Sequence, residues 1–194
     1  MIVLYIFAAA LGYFLGSVPF GLVLTKLAGT QDIRTIGSGN IGATNVLRTG
    51  SKWLAAATLL LDAAKGAAAV LLAQAFWPEG VQFAAAGAMI GHLYPVWLRF
   101  AGGKGSATLL GVLIPLLPVA AAVYALVWLG LLLTTRLASV ASMVAAASAP
   151  LSAGVMDRDE YFPMLLGFAL LVIWKHRANI QRLLAGTEPR VGKA

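Results

Sequence analysis

Cysteine is missing from all 194 residues of the chain. Its absence excludes disulfide bonds, thiolate metal sites and cysteine nucleophiles. The chain has only two histidines and seven carboxylates, and the carboxylates stand singly or on one short loop, so no metal site is predicted. The net charge is +7, but there is no basic run interleaved with aromatic residues, and nucleic-acid binding is not predicted.

Apolar residues make up 60% of the sequence and charged residues 11%, and the mean hydropathy is +0.87. This composition is too apolar for a soluble domain. It predicts an all-α, polytopic protein of the lipid bilayer that forms a single domain over residues 1–194. The apolar runs predict seven transmembrane helices. They lie at residues 2–28, 53–76, 81–98, 109–133 (counted as two helices), 137–155 and 161–174.

Prolines modify two of these runs. Pro19 predicts a kink in the first helix. Pro115 and Pro118 divide residues 109–133 into a short and a longer helix. The short helix, at about a dozen residues, is too short for a full perpendicular span. The alternative is therefore five transmembrane helices plus a re-entrant pair.

The basic residues predict the side of the membrane on which each loop lies. Arg158 stands among acidic residues on one side, while the loops after the first and third helices and the tail collect the others. By the positive-inside rule the N-terminus lies outside and the C-terminus is cytoplasmic. The residues assigned to the cytoplasmic side are Lys26, Arg34, Arg48, Lys52, Arg99, Lys104, Arg136, Lys175, Arg177, Arg182, Arg190 and Lys193.

The first cytoplasmic loop contains the run Gly-Ser-Gly-Asn-Ile-Gly-Ala-Thr-Asn at residues 37–45. Its three glycines allow positive φ and exposed amide groups, an arrangement that forms a concavity for anions. A helix predicted to begin near Ala43 would point its N-terminus at the same place. Arg48 would follow one or two turns into this helix, where its guanidinium could fork onto a phosphate.

Two further polar clusters share this predicted face. The run Gly-Gly-Lys-Gly at residues 102–105 sets Lys104 among flexible amides at the start of a helix, again an anion-binding arrangement. In the tail, His176 and Asn179 stand three residues apart on one helix face. A basic, amide-rich face beside apolar helices suits a ligand with a phosphate head and an acyl tail.

Asp62, Lys65 and His92 are ionisable residues well inside predicted membrane helices. Asp62 and Lys65 are three residues apart, so they can pair on one helix face, and a structural pair that orients helices is the favoured interpretation. His92 lies about two turns before Arg99, where it could fix the second loop by hydrogen bonding or act as a site residue. Both interpretations of His92 stay open.

The pattern Gly37–Gly42 also matches the dinucleotide-binding sequence G-x-G-x-x-G. That fingerprint needs a preceding strand in a soluble βαβ unit, whereas membrane runs flank this one, so it is rejected. Ser38 has no histidine and aspartate nearby in sequence to activate it as a nucleophile. An already activated acyl donor with a phosphate leaving group fits these residues better.

Taken together, the motifs resemble those of the bacterial acyl-phosphate:glycerol-3-phosphate acyltransferases. The resemblance covers nearly the whole chain. It is carried by Asp32-x-Arg34 with residues 37–45 and Arg48, by Gly91-His-x-Tyr-Pro-Val96 with Phe100-x-Gly-Gly-Lys-Gly105, and by His176-Arg-x-Asn-Ile180 with Arg182-Leu-Leu and Gly186-x-Glu188. Ser106 departs from the family pattern, in which a small apolar residue follows Gly-Lys-Gly.

The resemblance implies a bacterial inner-membrane enzyme of phospholipid synthesis with its active site on the cytoplasmic face. It would transfer a fatty acyl group from acyl phosphate to the sn-1 hydroxyl of glycerol 3-phosphate, giving lysophosphatidic acid and inorganic phosphate. It would need no cofactor, neither coenzyme A nor acyl carrier protein directly. The enzyme that produces acyl phosphate would be a candidate partner.

The resemblance also assigns roles to residues. The acyl-phosphate head would be held by Ser38, Gly39, Asn40, Thr44, Asn45 and Gly103. Glycerol 3-phosphate would be held by Arg48, Lys104, Ser142, His176 and Asn179, with Ser142 preferred to Ser139 as the hydroxyl contributor. Ser38, Arg48, Lys104 and His176 would be catalytic. The proton acceptor is either the donor's own phosphate oxygen or His176.

Two rival functions remain. One is a small carrier or channel for organic phosphate, although no inverted repeat is visible in the sequence. The other is an acyltransferase with a thioester donor. The His-x-x-x-x-Asp pattern of thioester-using glycerolipid acyltransferases is absent, because Trp97 lies five residues after His92 and Gln181 five after His176.

Overall fold

The computed structural model describes residues 1–192, so Lys193 lies outside the described residues. The described residues form helices joined by turns and loops, with no strand among them, which confirms the predicted all-α class. Its helices are α1 (Ile2–Gly16), α2 (Phe20–Leu27), α3 (Ala43–Val46), α4 (Lys52–Phe76), α5 (Val81–Leu93), α6 (Ser106–Leu116), α7 (Pro118–Thr135), α8 (Ala138–Val155), α9 (Phe162–Lys175) and α10 (Arg177–Leu184). The chain divides into two compact units, Met1–Pro115 and Leu116–Ala194, which are described separately below.

Within the described residues, four stretches are long and apolar enough to cross a membrane. They are Ile2–Leu27, Lys52–Phe76, Pro118–Thr135 and Ala138–Val155. Each predicted membrane run contains at least one of the helices, but α5, α6 and α9 are shorter, with 13, 11 and 14 residues. The count of seven spans and their orientation therefore stay predictions.

Prolines determine where several helices begin or end. The predicted kink at Pro19 is a complete break, since α1 ends at Gly16 and α2 begins at Phe20. The third run was expected to continue to Leu98, but α5 ends at Leu93. Tyr94 precedes Pro95 and leaves the helical region, with φ −140° and ψ 58°, because the proline ring disfavours helical backbone at the residue before it.

The short proline-bounded helix differs from the prediction at both ends. It begins at Ser106, earlier than the predicted residue 109, and Pro115 lies inside it. The break falls at Leu117, which has φ −145° and ψ 80° and precedes Pro118. Pro118 is the first residue of α7, a position that tolerates the missing backbone N–H.

In the first unit, glycines allow α1 and α5 to approach until their backbones touch. A Cβ added at Gly12 or Gly16 would collide with the backbone carbonyls of α5, and one added at Gly87 or Gly91 would collide with those of α1. Such small-residue faces are typical of helices that associate in membranes. The close contact fixes the end of α5, and so the start of the second polar loop.

Glycines also hold α6 against α4. A Cβ at Gly66 would collide with the carbonyl oxygen of Thr108, and one at Gly111 would collide with the carbonyl oxygen of Ala63. Thr108 lies in the first turn of α6, directly after the second polar loop. Both ends of that loop are therefore fixed by helix packing within the first unit.

In the second unit, α8 is a small-residue helix between α7 and α9. Ala141, Ala145 and Ala149 on α8 are completely buried, and Tyr124 on α7 is 1% exposed. After α9 the chain turns at His176 into the short helix α10. This turn brings the predicted tail residues to the end of α9.

Candidate active site

An apolar plug anchors the first polar loop. Ile33, Ile41, Val46 and Ala55 form a buried cluster, and Leu98 from the second loop packs against it. Ile33 and Val46 are fully buried. Ile33 precedes residues 37–40 in the chain, and Ile41 and Val46 follow them. Because all three pack with Ala55 of α4, the polar segment between them is held against that helix.

Asn45 braces the same loop from inside. Its Oδ1 accepts the amide proton of Ser38 over 3.1 Å, and its Nδ2 donates to the carbonyl oxygen of Ile33 over 2.6 Å and to that of Ile36 over 3.3 Å. Its side chain is buried, since the residue is 3% exposed. Its contacts in the structure are therefore with the loop itself, and a contact of Asn45 with acyl phosphate stays a prediction.

Arg48 lies against the backbone of Gly37. The helix α3 begins at Ala43, as predicted, and Arg48 falls in the 3₁₀ turn Leu47–Thr49 that continues it. Gly37 has φ +54°, and a Cβ at this position would collide with the Arg48 guanidinium and lie 2.5 Å from Asn45 Oδ1. Glycine is thus needed here for its conformation and for its lack of a side chain.

The loop amides are engaged within the loop. Besides the Ser38 amide, the Gly39 amide donates to the carbonyl oxygen of Ile36 over 2.9 Å and the Gly42 amide to Asn40 Oδ1 over 2.9 Å. The expectation of an open cradle of amides is wrong for these three groups. Ser38, Thr44 and Arg48 are exposed, so an anion would be bound by side chains on a rigid loop.

The second loop packs on His92. The Gly103 amide donates to the His92 carbonyl oxygen over 3.0 Å, so this amide is also engaged. A Cβ at Gly103 would collide with the imidazole ring, and one at Gly102 would collide with the His92 carbonyl oxygen. The half-buried Lys104 follows directly, and α6 begins two residues later, in agreement with the predicted lysine at a helix start.

The predicted intramembrane pair is present. Lys65 Nζ lies 2.6 Å from Asp62 Oδ1, and both side chains are at most 4% exposed. His92 Nδ1 lies 3.8 Å from the same oxygen. The sequence predicted the pair but not its proximity to His92, because these residues are on different helices.

In the second unit, the Glu188 carboxylate accepts hydrogen bonds from three polar side chains, a role that was not predicted from the sequence. Glu188 Oε1 accepts from Ser139 Oγ and from Asn179 Nδ2, each over 2.6 Å, and Glu188 Oε2 accepts from Arg182 Nε over 2.8 Å. The Glu188 side chain is only 6% exposed. The one feature of the sequence that could have drawn attention to Glu188 is that no other acidic residue follows Glu160.

The other predicted residues of this unit are also buried. His176 is 4% exposed and Ser142 is 7% exposed. His176 Nδ1 lies 2.8 Å from the Val172 carbonyl oxygen, which sets the orientation of the imidazole. Ser142 Oγ accepts from Trp128 Nε1 over 3.3 Å. Their predicted roles with glycerol 3-phosphate stay predictions.

Replacement of Glu188 by glutamine is expected to lower stability at neutral pH by about 2 kcal/mol, because three donors lose a charged acceptor. Burial by itself raises the pKa of Glu188, but the hydrogen bonds from Ser139, Asn179 and Arg182 outweigh it, so the net pKa lies below its ordinary value of 4.5. A lowered pKa in the folded state contributes stability above pH 4.5 that is lost as the pH falls through the folded-state value.

Thermal unfolding of both proteins in detergent between pH 7 and pH 3 measures this effect. The difference between wild type and Glu188→Gln should be largest at pH 7 and should shrink in acid. A difference that is constant across this range would contradict the ionised cluster.

Near the start of the first loop, Asp32 and Arg34 form an exposed pair. Arg34 Nη2 lies 2.6 Å from Asp32 Oδ2, and the hydrogen bonds from Arg34 lower the pKa of Asp32 from 3.8 to about 2. A groove of about 420 Å³ lies beside this pair and contains none of the predicted site residues. It is lined by Pro19, Leu22, Val23, Thr25, Lys26, Thr30, Gln31, Asp32, Arg34 and Leu98.

Helical architecture, long apolar helices and two braced glycine-rich loops define the class of this protein. It is an all-helical membrane protein with rigid polar loops that carry exposed hydroxyl and basic side chains. Within that class, the chain belongs to the glycerol-3-phosphate acyltransferase family, whose model matches residues 6–186.

Similar proteins cover almost the whole chain. A glycerol-3-phosphate acyltransferase of Rhodopseudomonas palustris (strain BisB5) is 54% identical over 194 residues, covering 100% of this chain and 99% of the relative. One from Mesorhizobium japonicum is 54% identical over 187 residues, covering 96% of each chain.

Two solved structures have the same fold. Both are crystal structures of PlsY (YgiH), an integral membrane glycerol 3-phosphate acyltransferase. The glycerol 3-phosphate form has a TM-score of 0.91 and 41% identity, covering 97% of this chain and 96% of the other. The lysophosphatidic acid form has a TM-score of 0.89 and 40% identity, covering 97% and 95%.

Proposed function

We propose that this protein transfers a fatty acyl group from acyl phosphate to the sn-1 hydroxyl of glycerol 3-phosphate. The observation that carries the proposal is the first loop, in which Ser38, Thr44 and Arg48 are exposed and the buried Asn45 braces the backbone. A rigid set of hydroxyl and guanidinium donors suits a phosphate group. Family membership and the glycerol 3-phosphate form of the similar PlsY structure support the acceptor.

In the proposed reaction, the sn-1 oxygen of glycerol 3-phosphate forms an ester bond to the acyl carbon. The bond between that carbon and the phosphate oxygen breaks, and the hydroxyl proton passes to the departing phosphate. The products are lysophosphatidic acid and inorganic phosphate. Catalysis would then rest on alignment of two bound phosphates and on cationic groups that offset the developing charge.

We propose the following roles for the residues. Ser38, Asn40 and Thr44 hold the acyl-phosphate head through their side chains. Gly39 and Gly103, whose amides are engaged within the loops, and Asn45 set the shape of the site. Arg48 and Lys104 bind glycerol 3-phosphate and offset charge. Ser142, His176 and Asn179 contribute to the binding of the same substrate.

The proposed setting is the bacterial inner membrane, with a single integral membrane domain over residues 1–194. Seven spans would leave the N-terminus outside and the C-terminus in the cytoplasm, so that the polar loops meet substrates at the cytoplasmic face. The enzyme that produces acyl phosphate is the proposed partner, since acyl phosphate must be supplied by a separate reaction.

Purified protein supplied with acyl phosphate and glycerol 3-phosphate tests the proposal. Phosphate release that depends on both substrates, together with an sn-1 acyl product, is the expected result. Turnover with acyl-coenzyme A in place of acyl phosphate would instead indicate a thioester donor, and no turnover with either donor would favour an organic-phosphate carrier. Arg48→Gln should lose activity, whereas the matched Arg158→Gln, at an arginine paired with Glu160, should keep it.

The identity of the proton acceptor is tested at His176. If the donor's own phosphate takes the proton, His176→Gln should keep kcat within about threefold and raise mainly the KM for glycerol 3-phosphate. If His176 is the base, kcat should fall by 10²-fold or more, on the order expected for a lost general base, and the acid limb of the pH profile should shift. The substrate-assisted mechanism is abandoned in the second case.

A further inference from the structure

Three buried ionisable side chains in the first unit have no role in the proposed reaction. They are Asp62 and Lys65 on α4 and His92 at the end of α5, with side-chain exposures of 4%, 3% and 4%. Charged groups within membrane helices are costly, and where they occur they commonly serve a function. Their neighbours in this protein indicate what that function is.

Lys65 ties α4 to the break between α1 and α2. Besides its contact with Asp62, Lys65 Nζ donates to the Val18 carbonyl oxygen over 2.8 Å and lies 5.7 Å from the centre of the Phe20 ring. Val18 lies in the linker between α1 and α2, where its carbonyl oxygen also accepts the Phe20 amide over 3.1 Å, so the lysine is its second donor. Lys65 thereby holds the Asp62 carboxylate beside this break.

His92 lies between this carboxylate and the second loop. On one side, His92 Nδ1 is 3.8 Å from Asp62 Oδ1. On the other side, the ring lies so close to Gly103 that an added Cβ would collide with Nε2 and approach Cε1 to 2.7 Å. The His92 carbonyl oxygen also accepts the Gly103 amide over 3.0 Å. Gly103 is therefore positioned by both the side chain and the backbone of His92.

We propose that His92 is a positioning residue for the loop that carries Lys104, and that the buried Asp62–Lys65 pair holds the imidazole in place. This inference deepens the proposed function and rests on it, since Lys104 is assigned there to glycerol 3-phosphate. His92 acts on the substrate only through Gly103 and the adjacent lysine. A shift of about 1 Å in a substrate-positioning group is enough to impair turnover strongly.

Three substitutions at His92 separate this role from a purely structural one. In glutamine the side-chain amide reaches the place of Nε2, beside Gly103, while in asparagine it reaches only the place of Nδ1, beside Asp62. We expect His92→Ala and His92→Asn to raise the KM for glycerol 3-phosphate about tenfold or more, with kcat changed much less, and His92→Gln to restore a KM near that of wild type. Equal KM values in all four proteins would overturn the proposal.

A second readout does not depend on activity. Because the chain has no cysteine, a single cysteine can carry a spin label at the exposed Ala101, one residue before the glycines. The control label is at Glu79, an exposed residue in the turn before α5, at the end of that helix opposite His92. His92→Ala and His92→Asn should increase the mobility of the label at Ala101→Cys and leave the label at Glu79→Cys unchanged.

The two readouts distinguish failure of the inference from failure of the proposed function. Unchanged mobility at both positions, or an equal increase at both, would overturn the positioning role, whether or not the enzyme turns over. If wild type shows no turnover with acyl phosphate, the proposed function fails, while the label at Ala101→Cys still decides whether His92 holds the loop. If His92→Ala fails to fold, the asparagine and glutamine variants make the same comparison.

Discussion

Replacement of Gly37 by alanine is expected to reduce kcat/KM by about 10²-fold or more, the effect of misplacing a substrate-binding group. Two causes act together. The positive φ of +54° at Gly37 is costly for any residue with a Cβ. The new methyl group would also displace the Arg48 guanidinium and press on Asn45 Oδ1, which moves the cation and loosens the brace of the loop.

Gly29→Ala is the matched control. Gly29 has a similar φ of +66°, but a Cβ at this position would meet nothing within 4 Å. Both variants should therefore lose a similar amount of stability through backbone strain, and only Gly37→Ala should lose activity. Steady-state kinetics with thermal unfolding on the same preparations make the comparison. Equal loss of activity in the two variants would mean that strain, and not the position of Arg48, limits turnover.

The sequence predicted those features that depend on local pattern. The all-α class, an interruption at Pro19 (predicted as a kink and found as a break) and the start of α3 at Ala43 follow from apolar runs, a proline and a glycine-rich segment. The contact between Asp62 and Lys65 follows from their spacing on one helix. Each of these features needs only residues that are neighbours in the chain.

The partners of the loop amides could not be predicted in the same way. The glycine pattern indicated amides free to bind an anion, yet the Ser38 amide is taken by the side chain of Asn45, seven residues later. Asn45 reaches that position because Ile33 and Val46, on either side of the loop, are both fully buried. Tertiary packing therefore decides which donors stay free, and this changes the proposed phosphate ligands from amides to side chains.

Glu188 shows a related limit of sequence reasoning. An isolated acidic residue in a basic tail has no local partner that would predict its burial. In the structure Glu188 contacts Ser139, which is 49 residues away in the sequence, and Asn179, which is nine residues away. Asn179, which was proposed from the sequence to bind substrate, is therefore also held by the Glu188 carboxylate. Its substitution would disturb this cluster as well as any substrate contact.

Replacement of Lys65 by methionine is expected to cause the largest loss of stability, about 3–5 kcal/mol, because it leaves a buried carboxylate without its counter-charge. Asp62 would face His92 alone, and the Val18 carbonyl oxygen, at the break between α1 and α2, would lose one of its two donors and keep only the Phe20 amide. In the membrane interior no water replaces that donor. The melting temperature in detergent should fall by on the order of 10 °C.

The double variant Asp62→Asn/Lys65→Met distinguishes the effect of losing the ion pair from the effect of leaving one buried charge unpaired. Removal of both charges avoids a buried uncompensated ion, so the double variant should be more stable than Lys65→Met alone. Lys52→Met, at an exposed position of the same helix α4, should leave the melting temperature within about 1–2 °C of wild type. If the double variant is as unstable as Lys65→Met, the hydrogen bond from Lys65 to Val18, and not the charge of Asp62, is what the first unit requires.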